Sequence, residues 1–249
     1  MSGAGAVERF AAARTLPWLL WHRLVLFGLV QAVLALAFAA AGVATPWLAA
    51  AAAWPIAVTV TSLCTLVLLR RLLYAEGRRL RDLYRVDVAT VASDLRVTGV
   101  VVVAAALLAT VPNLGLAWLL WGDMEAGVAL LVRPVAEPVA WVALLAFPLA
   151  VGLSELPWYF GYALPRLRAV VGARRALLLT ATALALQHVT IPLLFDVRFV
   201  VWRALMFVPF ALLLGVVLQR RPRLLPYLVV VHVALDLAVG VQFWLASRA

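Results

Sequence analysis

Four ionisable side chains lie inside long apolar segments of this sequence, where such groups are uncommon. Glu155 follows the run VALLAFPLAVGLS, His188 interrupts LLLTATALALQHVTIPLL, and His232 and Asp236 lie in YLVVVHVALDLAVG. An ionisable group at a bilayer centre costs about 2.5–3.5 kcal/mol, so it usually faces a cavity or a partner. His232 and Asp236 are spaced i and i+4, which puts both on one helix face. Such a set can activate water for hydrolysis or carry protons.

The rise of a helix predicts that three of these groups lie at one depth. Counted from the nearest loop arginine at about 1.5 Å per residue, the depths are about 16 Å for Glu155, 20 Å for His188 and 14 Å for His232. Pro157 and Pro192 follow closely, and each removes a backbone donor and frees a carbonyl one turn earlier. Water or protein must satisfy the freed carbonyls, so we expect a hydrated cavity beside the site.

Composition determines the class of protein that holds these groups. Of the 249 residues, 67% are hydrophobic and 13% are charged, and the mean hydropathy is +1.08. Soluble domains have about 25% charged residues. These values exclude a soluble globule and predict an integral membrane protein.

Apolar runs of about 20 residues predict the membrane crossings. The fold class is therefore all-α, a polytopic membrane helical bundle of about seven transmembrane helices. The predicted spans are 24–43, 47–69, 96–112, 138–163, 176–195, 199–219 and 224–245. The broken run 114–132 is expected to be re-entrant or interfacial. Residues 1–249 form one membrane domain, with N-terminal spans in 1–112 and the site in 138–245.

Charge placement predicts the orientation. All 21 basic residues are Arg, and they lie mostly in short loops, which indicates contact with anionic lipid and not with nucleic acid. The loop with the most arginines lies at the beginning of segment 70–95. This segment is expected to be a polar helix on the cytoplasmic surface. Three arginines put the N-terminus on that side: Arg9, Arg14 and Arg23. His22 is expected to be an anchor at this interface, and Arg203 to pair with Asp196 or extend to the surface.

Three short segments resemble the motifs of one membrane-protein family. The stretch SELPWYFGYALPRL at 154–167 is similar to EELGWRGYALPRL, the first motif of many bacterial members. LALQH matches a second motif that ends in His188. His232 and Asp236 match a third, HxxxN or HxxxD. The family is the CPBP family of intramembrane metalloproteases or glutamic endopeptidases, also called ABI, which includes the type II CAAX prenyl proteases.

The resemblance implies an intramembrane endopeptidase of the CAAX-processing or bacteriocin-processing type, in a bacterial plasma membrane. Glu155 would act as general base on a water, His188 would help to position that water, and His232 and Asp236 would stabilise the oxyanion. Its substrate would be a membrane-associated or prenylated peptide or protein. No cofactor is firmly implied. A divalent metal, if bound, would take Glu155, His188 and His232 as ligands.

Two positions depart from the first motif and leave alternatives open. Leu156 replaces the second Glu and Phe160 replaces the Arg; Arg166, about one and a half turns further on, is the nearest substitute. These losses favour a catalytically inactive relative, a membrane scaffold or an immunity protein. A small proton-coupled transporter is the second alternative, since buried His and acidic groups also suit a proton relay.

Overall fold

The computed structural model describes residue 16 and residues 18–248, and this part of the chain is a helical bundle. No β-strand occurs in the described ranges, where one isolated bridge joins Thr190 and Leu193. The predicted fold class, an all-α polytopic membrane bundle, is confirmed. Arg9 and Arg14, which were used for the orientation, lie outside the described residues.

Twelve α-helices run through the described chain, with short 3-10 and π-helical segments between them. The α-helices are α1 His22–Ala40, α2 Pro46–Ala52, α3 Trp54–Ala75, α4 Val91–Trp121, α5 Ala126–Leu131, α6 Glu137–Trp141, α7 Phe147–Leu156, α8 Leu164–Val171, α9 Ala173–Gln187, α10 Val197–Met206, α11 Val208–Arg220 and α12 Leu225–Ala246. π-Helices at Val142–Ala146 and Pro157–Ala163 join α6, α7 and α8 into one rod.

Six helical segments of the described chain are long and apolar enough to cross a membrane, so the count of seven spans is not confirmed. They are His22–Ala40, Trp54–Ala75, Leu80–Trp121, Glu137–Val171, Val197–Arg220 and Pro222–Ala246. The predicted span 176–195 is the one without a match. Helix α9 has 15 residues, or about 22 Å, against a hydrocarbon core of about 30 Å.

Helix α9 stops early because of Pro192. A residue that precedes proline is disfavoured in the helical region, so Ile191 cannot continue the helix, and Pro192 has no amide hydrogen to donate. The chain turns after Gln187 and becomes helical again only at Val197. Residues 176–195, predicted to form one continuous span, therefore contain a helix that is broken after Gln187.

Two further expectations were wrong. Run 114–132 is not one separate re-entrant or interfacial segment, because α4 continues through Pro112 to Trp121 and includes its first part, while Ala126–Leu131 forms α5. Helix α4 is terminated by Gly122, whose φ of +72° suits glycine. Segment 70–95 is not one surface helix either. Helix α3 continues to Ala75, Gly77 turns the chain at a φ of +69°, and two 3-10 segments, Leu80–Tyr84 and Val88–Thr90, follow.

The carbonyls freed by the two prolines are bonded to protein side chains. The Tyr84 hydroxyl donates to the Leu153 carbonyl at 2.7 Å, one turn before Pro157. Arg203 Nε donates to the His188 carbonyl at 3.1 Å, one turn before Pro192. These donors take the place of the water for which we expected a cavity.

Arg203 is accordingly buried, contrary to the expectation that it pairs with Asp196 or extends to the surface. A second bond runs from its Nη2 to the Ile191 carbonyl at 2.7 Å. Asp196 instead caps α10 by accepting from the Phe199 amide at 3.1 Å. The broken segment after α9 is thus held by a guanidinium.

Close helix packing sets the position of α12 against α7. A Cβ on Gly152 of α7 would collide with Val233 of α12, and one on Gly240 of α12 would collide with the backbone carbonyl of Ala143. Only glycine permits this approach. The polar residues near the end of α7 and in the middle of α12 therefore face each other.

Substitution of Tyr84 by Phe tests the bond to the freed carbonyl. Tyr84→Phe keeps the ring and removes the hydroxyl that donates to the Leu153 carbonyl, so the free energy of unfolding should fall by about 0.5–1.5 kcal/mol. Reversible unfolding in mixed detergent micelles measures it. Tyr74→Phe, whose side chain is exposed, is the control and should have no effect. An equal change in both variants would contradict the assigned bond.

Candidate functional site

Glu155 lies near the end of α7, buried between three other helices. Its Oε2 accepts a hydrogen bond from Gln187 Nε2 at 2.5 Å and lies 3.5 Å from Arg23 Nη2. Its Oε1 lies 3.6 Å from His232 Nε2. The carboxylate is thus shared between an amide, a guanidinium and an imidazole, which come from α9, α1 and α12.

His232 and Asp236 lie one turn apart on α12, as their spacing predicts. His232 Nε2 stands between two carboxyl groups, 3.3 Å from Asp236 Oδ2 and 3.6 Å from Glu155 Oε1. Both His232 Nδ1 and Asp236 Oδ2 are buried, and among the described residues neither makes a hydrogen bond; Oδ2 has only its charge contact with His232 Nε2. Buried polar atoms are normally paired, so this part of the site has unused capacity for a water or a ligand.

Arg23 is another residue for which the sequence-based prediction is wrong. The sequence predicts a charge at the cytoplasmic surface, whereas the Arg23 side chain is fully buried. Four neutral oxygens accept hydrogen bonds from its guanidinium: Gln187 Oε1 at 2.8 Å, Ser154 Oγ at 3.1 Å, Thr65 Oγ1 at 3.2 Å and Ser62 Oγ at 3.4 Å. The planar fork of five donors can satisfy so many acceptors at once, which an ammonium cannot.

Gln187 links the charged groups and was not predicted as a site residue. Its amide nitrogen donates to Glu155, while its Oε1 accepts from Arg23 Nε and, at 3.2 Å, from the Tyr159 hydroxyl. The sequence feature that could have identified these site residues is the occurrence of polar residues within apolar runs. The sequence TVTSLCT at 59–65 carries hydroxyl groups at Ser62 and Thr65, which face Arg23.

His22 also lies inside this polar region and is not a membrane-surface anchor. Its Nε2 lies 3.0 Å from the Thr65 hydroxyl, and its ring meets Trp158 edge-on at 4.6 Å. Arg23 and His22 thus make the start of α1 part of the site. The predicted division, which confined the site to 138–245, leaves out these residues and α3.

His188 makes no hydrogen bond to Glu155 or His232 in the part of the chain that the structure describes. Its Nδ1 lies 2.8 Å from the Leu184 carbonyl oxygen, and its ring stacks on Phe207 with 3.8 Å between the centroids. The common depth holds for Glu155 and His232, whose atoms meet. At the end of α9 it is Gln187, the residue before His188, that reaches Glu155.

The two departures from the family motif are not compensated by Arg166. Arg166 pairs with Glu76 and lies over the Tyr162 ring at 3.6 Å, so it is engaged at the end of the bundle. Phe160 packs towards Leu177 and Gly215. The guanidinium beside Glu155 is that of Arg23, which belongs to a different helix.

The residues do not fit the metal site that the resemblance allowed. No group of three or more His, Cys, Asp or Glu side chains in the described ranges is arranged to hold a metal ion. Glu155 and His232 lie 3.6 Å apart, but the Arg23 cation already lies against the Glu155 carboxylate. The arrangement places a carboxylate, an imidazole and a second carboxyl group side by side: those of Glu155, His232 and Asp236.

A double-mutant cycle tests the buried pair. Arg23→Gln leaves Glu155 without its counter-charge, so the free energy of unfolding should fall by about 3–5 kcal/mol. In the double variant Arg23→Gln/Glu155→Gln no charge is left unpaired. Its loss should be smaller than the sum of the two single losses by at least about 1 kcal/mol.

The exposed pair of Glu137 and Arg248, 3.9 Å apart, is the control for this cycle, and its two neutralising substitutions should be additive. Additive losses at Arg23 and Glu155 as well would mean that the two charges do not interact. Unfolding in mixed detergent micelles gives all the values.

Comparisons with known proteins find no relative of this chain, so the site is interpreted from its geometry. No family model, no curated protein and no solved structure matches the chain. The likeness to the CPBP motifs therefore stays a prediction from three short segments. What is established is a multi-pass membrane bundle with a charged and hydrogen-bonded group of side chains in its interior.

Proposed function

We propose that this chain is an intramembrane endopeptidase of the CAAX-processing or bacteriocin-processing type, as expected of a CPBP-like protein. The observation that carries the proposal is the series Glu155, His232 and Asp236 in the bundle interior, with two buried polar atoms unused. A carboxylate next to an imidazole with free hydrogen-bonding capacity suits the activation and capture of a water molecule.

In the proposed reaction Glu155 is the general base. It takes a proton from water while the water oxygen forms a bond to the peptide carbonyl carbon, and the carbonyl oxygen becomes an oxyanion. When the C–N bond breaks, the proton on Glu155 passes to the leaving nitrogen. The products are a carboxylic acid and an amine, and no oxidant or metal takes part.

His232 and Asp236 are proposed to stabilise the oxyanion. A donor fixed in a low-dielectric interior stabilises developing charge more strongly than one in water. The Asp236 carboxyl group, 3.3 Å from His232 Nε2, orients the imidazole. His188 keeps the part that the resemblance implies, positioning the water: its Nδ1 lies 2.8 Å from the Leu184 carbonyl oxygen, which leaves Nε2 for that role.

Arg23 has a supporting part in this proposal. Its guanidinium, 3.5 Å from Glu155, favours the ionised form of the carboxylate that a base requires. It also supplies the positive charge that the first motif carries at the position of Phe160. The missing motif arginine is therefore a weaker argument against activity than the sequence by itself suggested.

We further propose a bacterial plasma membrane with the N-terminus on the cytoplasmic side. Contacts gather the arginine-rich segments at one end of the bundle: Arg166 pairs with Glu76, and Arg223 pairs with Asp94 at 2.8 Å. Arginine-rich loops stay on the cytoplasmic side. The start of α1 lies towards that end, since His22 contacts Thr65, which precedes Arg70 on α3.

The proposal is tested by cleavage in proteoliposomes. The probes are a fluorogenic peptide with a farnesylated CAAX end and a single-span membrane peptide without a prenyl group. Glu155→Gln should abolish cleavage. Glu155→Asp keeps the charge that Arg23 requires but withdraws the base by about 1 Å, and it should reduce the rate about 100-fold.

Glu137→Gln, a neutralisation of an exposed carboxylate, is the matched control and should cleave like the parent chain. Unfolding curves of each variant separate lost chemistry from lost structure. Cleavage by folded Glu155→Gln at the parent rate would exclude Glu155 as the base. No cleavage of either probe by the parent chain would count against the protease.

One observation favours a second candidate, a non-catalytic membrane scaffold or immunity protein. Glu155 Oε2 is already bonded to Gln187 and paired with Arg23, an arrangement that also serves as a structural lock between helices. In that case Arg23→Gln/Glu155→Gln should complement a deletion strain as fully as the parent gene. A protease would lose its function in the same strain.

A further inference from the structure

A cavity opens at the arginine-rich end of the bundle, away from Glu155. Its volume is about 330 Å³, at the lower end of the range of about 300–1,000 Å³ for ligand pockets. The cavity lies just beyond the end of α3 and at the end of α11, beside the first residues of α8 and α12. Helix ends of a membrane bundle lie near the headgroups, so this cavity faces the lipid–water interface.

The lining of the cavity is amphipathic. Phe160, Leu164, Leu218 and Leu225 are buried side chains that form its apolar part. The exposed residues Arg78 and Arg168 contribute positive charge at its edge. A ligand that fits both parts has an anionic head and an apolar chain.

Three acidic side chains at this end of the bundle are already paired with arginines. Arg85 pairs with Asp82, Arg166 with Glu76 and Arg223 with Asp94. Partial burial works to raise the pKa of the Glu76 carboxyl, but Arg166, with a smaller contribution from the charge of Arg78, outweighs this and lowers the pKa below its ordinary value, so Glu76 is ionised. Asp82 also lines the cavity, and Arg85 neutralises its charge at 2.8 Å.

Within the part of the chain that the structure describes, the guanidinium groups of Arg78 and Arg168 make neither an ion pair nor a hydrogen bond. Two unpaired cations at the edge of an apolar cavity favour an anionic occupant. A membrane-spanning chain meets anionic lipid at this level at high local concentration.

We infer that this cavity binds an anionic phospholipid, with the phosphate between Arg78 and Arg168 and the first part of an acyl chain against Phe160, Leu164 and Leu225. This site is separate from the proposed catalytic group and does not depend on peptidase activity. The site differs from general lipid contact because it holds one lipid through two specific arginines, Arg78 and Arg168.

Native mass spectrometry of the full chain, released from micelles that contain phosphatidylglycerol and phosphatidylcholine with identical acyl chains, tests the site. One phosphatidylglycerol should stay bound after phosphatidylcholine has dissociated. Arg78→Gln/Arg168→Gln should weaken its binding about 30-fold, since each arginine near an anionic headgroup contributes roughly a factor of five. Arg168→Gln alone should weaken it about 5-fold.

Arg174→Gln/Arg175→Gln removes the same charge from two exposed arginines that do not line the cavity, and it should leave binding unchanged. Equal weakening in both double variants would overturn the site in favour of diffuse surface attraction. Equal retention of phosphatidylcholine would overturn the charge argument. Displacement by glycerol phosphate at the same concentration as phosphatidylglycerol would show a small-anion site and overturn the lipid assignment.

Discussion

The polar interior of this bundle is organised around the contact between Arg23 and Glu155. Either charge alone in a membrane interior would cost several kcal/mol. Together they are neutral, and Gln187, Ser154, Ser62 and Thr65 use most of the remaining donors of the guanidinium. The pair therefore requires polar residues on two other helices, α3 and α9, and beside Glu155 on α7. Their presence explains why hydroxyl and amide groups interrupt such apolar segments.

The backbone adapts to bring these groups together. Helix α9 ends at Gln187, where the amide can reach both charges, and the chain beyond it is held by Arg203. Helix α7 passes into a π-helix at Pro157, just after Glu155. Irregular backbone inside a membrane is tolerated only where protein or water satisfies its polar groups. Side chains of this chain do so at the Leu153 and His188 carbonyls.

Arginine serves different physical purposes in different parts of the molecule. Arg23 and Arg203 are buried and bonded to acceptors in the interior. Arg166 and Arg223 make ion pairs at the arginine-rich end, and Arg78 is exposed there. A guanidinium is weakly hydrated and offers five donors in a plane, so one residue type can occupy all three environments. A count of positive charge in the sequence does not separate them.

Composition and periodicity determined the membrane class, the helical architecture and the position of most crossings, because an apolar run of sufficient length has one stable conformation in lipid. Helix rise also predicted that Glu155 and His232 reach one level, and they meet at 3.6 Å.

Other parts of the site were decided only by tertiary structure. In the sequence, Arg23 cannot be distinguished from a surface charge at the start of a helix. Gln187 precedes His188, the residue that the motif resemblance selects, and no local feature marks it as a site residue. Which side chain enters a polar interior depends on helix rotation, on where α9 ends and on the glycine contacts between α7 and α12. Those are set by packing between segments far apart in the chain, which no local pattern contains.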